Sequence, residues 1–127
     1  MSIIAGPSFR ANESIGAFLV VAMNLSSTAQ EFRVELADTS TSLIVGVIQD
    51  DVSTDGSAEV VTFGMARAQC GASVSIGLLA WQTATGKVVN FAIAGTTTGR
   101  LIGTALQAGS TDSVIKILVN PQLGIAI

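Results

Sequence analysis

The sequence predicts an all-β fold: a small β-barrel or β-tulip-like domain with an extended N-terminal arm. Short apolar, β-branched runs alternate with clusters of Gly, Ser, Thr and Asp along most of the chain, the pattern of many short strands joined by turns. Residues 31–36, Glu-Phe-Arg-Val-Glu-Leu, alternate strictly between polar and apolar, which is the period of a half-buried strand. Nowhere does an apolar stripe at helical spacing come with caps, although residues 113–118 and 98–107 leave room for one short helix. With 127 residues, the chain suits a single domain that buries a core without metals or disulfides.

Taken in order, residues 1–16 contain Gly6, Pro7 and Asn12 without periodicity and form the expected arm. The domain is expected over 17–127. Residues 17–23 are continuously apolar and suit a buried strand, and the Ser/Thr-rich segment 24–30 is a loop. In the alternating strand 31–36, Phe32, Val34 and Leu36 take the core side. Residues 43–48 form the next strand, and the turn-rich segment 50–57 carries Asp55-Gly56, a strong reversal signal. A strand then resumes over 58–66 with Val60, Val61 and Phe63. Further on come an alternating piece at 73–77, a strand at 78–82, a hairpin turn at 84–87 and a strand from 88 to 93. The last two strands are 101–106 and 114–119, with a turn at 108–113 between them.

One segment recurs without a gap. Leu43 to Ile48, then Ser53-Thr54-Asp55, then Val60-Val61 is matched by Arg100 to Ala105, Ser110-Thr111-Asp112 and Ile117-Leu118. Gly46 pairs with Gly103, and 103 − 46 = 57; Asp55 pairs with Asp112, and 112 − 55 = 57. Each unit is a hairpin whose glycine permits close backbone approach, and the two together predict pseudo-symmetric closure of one barrel.

Composition narrows function. Hydrophobic residues make up 49% of the chain and charged residues 12%, about half the usual charged share. So little charge suits a surface covered by neighbours. The net charge of −3 with six Lys and Arg leaves no basic stripe to neutralise phosphates, so no nucleic-acid partner is expected. Neither a signal peptide nor a membrane span is expected: the start lacks a basic segment followed by a long apolar one, and residues 16–23 are too short to cross a bilayer.

The chain has no His, no Tyr and one Cys. The usual general base is missing, a Ser–His–Asp or Cys–His arrangement cannot be built, and a zinc site lacks ligands. The chain is therefore expected not to be an enzyme, and to use no cofactor, no metal and no small-molecule substrate. Cys70 is expected as a small buried apolar residue. Asp50, Asp51 and Asp55 lack the spacing and closing Glu of a calcium loop, and Gly86-Lys87 lacks the upstream glycine of a phosphate loop. Both are expected as plain turns.

Candidate interface residues are apolar. Trp81, the only Trp, is either a core residue or an interface anchor. Ile3, Ile4 and Phe9 either anchor the arm on a partner or pack on the same domain. Leu123, Ile125 and Ile127 alternate at strand spacing, so the tail either adds to a neighbour's sheet edge or closes its own barrel.

The runs Leu43–Val47, Val60–Ala68, Gly71–Leu79, Ala84–Val89, Arg100–Ala105 and Val114–Pro121 together resemble the bacteriophage capsid decoration, or cement, proteins. The resemblance covers residues 43–121, and Leu78 departs from it where an acidic residue is common. It implies a small β-barrel that binds the outside of an expanded icosahedral shell, often as a homotrimer, bridging capsomers against internal pressure. The major capsid protein and further copies of the chain are then the partners, and the place is the capsid exterior of a virion assembled in a host cytoplasm. A carbohydrate- or receptor-binding β-module of a phage fibre is the alternative, disfavoured by an aromatic content of 5%.

Overall fold

The computed structural model describes residues 9–24, 32–37, 44–82, 85–91 and 101–120. They form an all-β fold of eleven strands in two sheets. In chain order the strands are β1 (Phe9–Ala11), β2 (Val20–Met23), β3 (Phe32–Leu36), β4 (Ile44–Ile48), β5 (Ser57–Ala58) and β6 (Val60–Val61), then β7 (Gly64–Gln69), β8 (Gly77–Trp81), β9 (Val88–Asn90), β10 (Leu101–Ala105) and β11 (Val114–Val119).

The N-terminal sheet runs β5-β1-β3-β2-β4-β6. Its two edges, β5 and β6, are separated in the chain by Glu59 alone, so one extended segment pairs with β1 on one side and β4 on the other. The sheet thereby curls into a barrel-like ring. Its interior holds Ala11, Ile15, Val21, Val34 and Ile48, with Phe9, Leu36, Val45, Ala58 and Val60 packed around them.

The C-terminal sheet, β7-β11-β10-β8-β9, repeats this plan. The long strand β11 does the work of β5 and β6 together, pairing with β7 on one side and β10 on the other. A parallel bridge between Cys70 and Val88 ties β9 back to the end of β7, as β1 is tied in parallel to β3 through Ala11 and Val34.

The match extends to single residues. In β4 the register shifts around Val45, and in β10 around Ile102; each bulge is followed by the paired glycine. A side chain on Gly46 would strike the carbonyl of Val61, and one on Gly103 the carbonyl of Leu118, so both positions exclude any Cβ. Asp55 and Asp112 adopt the same left-handed backbone, φ 67° and 68°, which Asp tolerates better than most residues. The Asp55 N–H donates to the Ala11 carbonyl at 2.8 Å and the Asp112 N–H to the Cys70 carbonyl at 2.8 Å. Arg33 meets Asp55 and Lys87 meets Asp112, each at 2.8 Å. Over the described residues the two halves thus follow one plan. The sequence suggested that the two hairpins close one barrel together; instead each belongs to its own sheet, joined there to the strand pair that precedes it, β2–β3 in the first half and β8–β9 in the second.

β2 explains its own composition. Val21 points into the N-terminal ring, while Val20 and Ala22 point outward into the larger core that joins the halves. A strand buried on both faces reads as a continuous apolar run. The same core holds Trp81, Ile102, Ile117 and Val119. Hydrogen bonds stitch the halves together: Val20 N–H to the Gly86 carbonyl at 2.8 Å, and Gln69 N–H to the Phe18 carbonyl at 2.9 Å.

The strand expected over 58–66 is broken. Glu59 is where the chain changes partner strands, residues 62–63 form a bend, and β7 restarts at Gly64 with φ 115°. Phe63 consequently faces solvent instead of the core. Of the segment expected as an arm, Phe9–Ala11 is a strand between β3 and β5, and Ile15 bridges Val52. The room left for a helix is taken by β10 and β11 where it is described.

Candidate apolar docking face

The outer face of the C-terminal sheet carries the large exposed apolar side chains. β7 and β11 alternate, so that Ala66, Ala68, Ile115, Ile117 and Val119 face inward while Met65, Arg67, Val114, Lys116 and Leu118 face out. Register then sets neighbours. Met65 lies opposite Leu118, Leu118 opposite Thr104, and Thr104 opposite Leu78. Directly opposed side chains on one face touch or nearly touch, so this is a continuous row crossing four strands. A second row begins with Arg67 opposite Lys116. Leu106 is exposed beside it, its N–H bonded to the Lys116 carbonyl at 3.0 Å. Phe63 and Ile76 flank the rows and are the most open, at 68% and 69% exposure.

The equivalent row of the N-terminal half is Val61, Val47 and Val20, joined by the same register. Val20 and Val47 are fully buried, and Val61 packs against the same core, beneath the C-terminal half. One face of the repeat is therefore covered within the chain and its counterpart is left open. The open one has larger side chains: Leu78 for Val20, Leu118 for Val61, with Thr104 for Val47.

Electrostatics differ between the halves as well. Lys116 stands where the N-terminal half has Glu59. Among the described residues Arg67 and Lys116 meet no carboxylate, and like charges opposed across a strand pair repel. Glu59 lies against Asp50, whose hydrogen bond and negative charge push the Glu59 carboxyl above its ordinary value of 4.5. Gln49 joins the two regions. Its side chain bonds the Arg67 backbone through Nε2 at 3.1 Å and Oε1 at 3.2 Å, and its N–H donates to the Glu59 carbonyl at 3.0 Å.

The residues singled out from sequence lie elsewhere. Trp81 is in the joint core, 1% exposed. Phe9 is half-buried and packs on the N-terminal ring. Ile3, Ile4, Leu123, Ile125 and Ile127 are outside the described residues. For Met65, Val114 and Leu118 the sequence itself carries a signal. At period two Met65 shares a face with Arg67, and Val114 and Leu118 share one with Lys116, so the charged residue marks the outward side. Cys70 is buried as expected, its thiol pushed up by that burial and only partly offset by the Ser113 hydroxyl.

No family model matches the chain, and no curated protein matches it. A solved structure does match. The chain is similar in fold to a phage head fiber base. That structure is the head fiber gp8.5 N base in bacteriophage phi29, with a TM-score of 0.67 over 91% of this chain and 93% of that one. The two are 14% identical, so the likeness is one of backbone architecture. It spans both halves of the repeat.

Proposed function

We propose that the chain is a structural protein of a bacteriophage virion that binds the outer surface of the capsid and holds neighbouring capsomers together. The observation that carries this reading is the exposed apolar row Met65–Leu118–Thr104–Leu78, on a fold shared with a head fiber base. A row of large side chains left in water is a surface awaiting a protein neighbour, and the residue inventory offers no general base of the usual kind. Its resemblance to cement proteins adds self-association, as a homotrimer, and the major capsid protein as the second partner. Burial gains about 25 cal/mol per Å² of apolar area, and several weak contacts per assembly multiply into an avidity about 10²–10⁴ above a single one. The action is mechanical: bridging capsomers resists outward pressure.

Expanded, undecorated shells mixed with the purified protein should carry it into the pellet at a saturable stoichiometry. Protein left wholly in the supernatant contradicts the reading. The likeness to a head fiber base is equally compatible with a second reading, a fibre module, which would bind a carbohydrate or receptor. Binding to a glycan array without binding to shells would select it.

A further inference from the structure

We infer that the open face of the C-terminal half is a docking site for a second copy of this chain, which sets its Asp50–Glu59 edge against Arg67 and Lys116 and covers the Met65–Leu118–Leu78 row. The inference rests on the self-association proposed above and adds the surface that performs it. Two observations lead to it. The fold has already solved the problem of this face once: in the N-terminal half the equivalent row, Val61–Val47–Val20, is buried beneath apolar side chains of another repeat unit. In the C-terminal half the matching side chains Met65, Leu118 and Leu78 stay exposed, and a second chain would bring repeat units to cover them.

Charge selects the same occupant. Arg67 and Lys116 lie side by side within the row's margin and meet no carboxylate among the described residues. Asp50 and Glu59 are both exposed, and their carboxyls crowd one another so that Glu59 holds its proton more tightly than usual. Each cluster is unfavourable alone, and bringing two cations to two carboxylates relieves both. Position 116 carries Lys where its counterpart 59 carries Glu; a chain whose halves differ in sign there offers each copy a complementary surface on the next. Complementary rim charges of this kind fix register and orientation while the apolar centre supplies contact energy.

Sedimentation of the purified full chain, without shells, tests the site. Wild type should self-associate by about 100 µM, and Leu118→Ser and Lys116→Glu should each weaken that association by at least about tenfold. Both positions face solvent in the single chain, so melting of the diluted variants should match wild type. Lys116→Glu combined with Glu59→Lys should restore association, which a merely structural defect would not allow. Wild type that assembles while both single variants assemble equally well overturns the surface and leaves self-association standing. Wild type that stays monomeric overturns both, and the shell-pelleting result still decides capsid binding separately.

Discussion

Asp55 and Asp112, 57 residues apart, hold the same left-handed backbone and each bonds a cation, Arg33 and Lys87 respectively. Around both, the chain reverses in the same way: the N–H of the residue after each aspartate donates to the carbonyl of the serine two before the aspartate, Gly56 to Ser53 at 2.8 Å and Ser113 to Ser110 at 3.0 Å. The turn is thus set by backbone conformation, with the ion pair laid over it. An exposed ion pair contributes little, whereas a Cβ-bearing residue without Asp's local bonding resists the left-handed region by about 1–2 kcal/mol. Asp55→Gly and Asp112→Gly should therefore stay within about 1 kcal/mol of wild type, while Asp55→Val and Asp112→Val lose more than about 1 kcal/mol by denaturant titration.

The two bulge glycines make a sharper prediction. A methyl group at Gly46 or Gly103 meets a strand carbonyl, that of Val61 or Leu118. Backbone cannot swing aside as a flexible side chain does. Gly46→Ala and Gly103→Ala should each cost about 1–3 kcal/mol or more, whereas Gly16→Ala, whose Cβ finds its nearest neighbour at 3.8 Å, should cost less than either. Thermal melts of the three variants check the order.

Burial separates two aromatic residues of the same half. Trp81 is 1% exposed in the core that joins the halves, and Phe63 is 68% exposed at the margin of the open face. Trp81→Ala should lose about 3–5 kcal/mol of stability, and Phe63→Ala less than about 0.5 kcal/mol. Equal losses would contradict the placement of either ring.

Cys70 reports on global opening. It is fully buried, hydrogen-bonded through its backbone to the Asp112–Ser113 turn, and burial raises its thiol pKa; fewer thiolates form at neutral pH and reagents cannot reach them. Alkylation of the native protein should be at least about a hundredfold slower than of the denatured chain, and should accelerate along the same denaturant curve as loss of structure. Fast labelling of the folded protein would contradict the burial of Cys70.

Much of this architecture was legible beforehand. Val34 and Leu36 face the core as their alternation dictates, and the ungapped match of Gly46 with Gly103 and Asp55 with Asp112 proved to be a match of conformation. The sequence hid the rest for physical reasons. β1 is three residues long, Phe-Arg-Ala, too short to display a period. Its partner in the second half is the end of β7 together with Cys70, and the pair Ala11 and Cys70 share backbone bonds with no likeness of side chain. The change of partner at Glu59 is a tertiary event, invisible in a run that reads as one strand. Phe63, expected within the strand 58–66, lies outside because the bend at 62–63 breaks that strand. Period two already sets Met65 with Arg67 and Val114 and Leu118 with Lys116; what the sequence does not show is the cross-strand register that joins Met65, Leu118, Thr104 and Leu78 into one row.

What covers the outer face of β7, β11, β10 and β8 in an assembled particle decides the proposed function. An electron cryomicroscopy map of expanded shells saturated with the protein should place it on the capsid exterior, with Met65, Leu78 and Leu118 against a neighbouring protein surface. Density absent from the shell exterior, or present with that face turned to solvent, would contradict it.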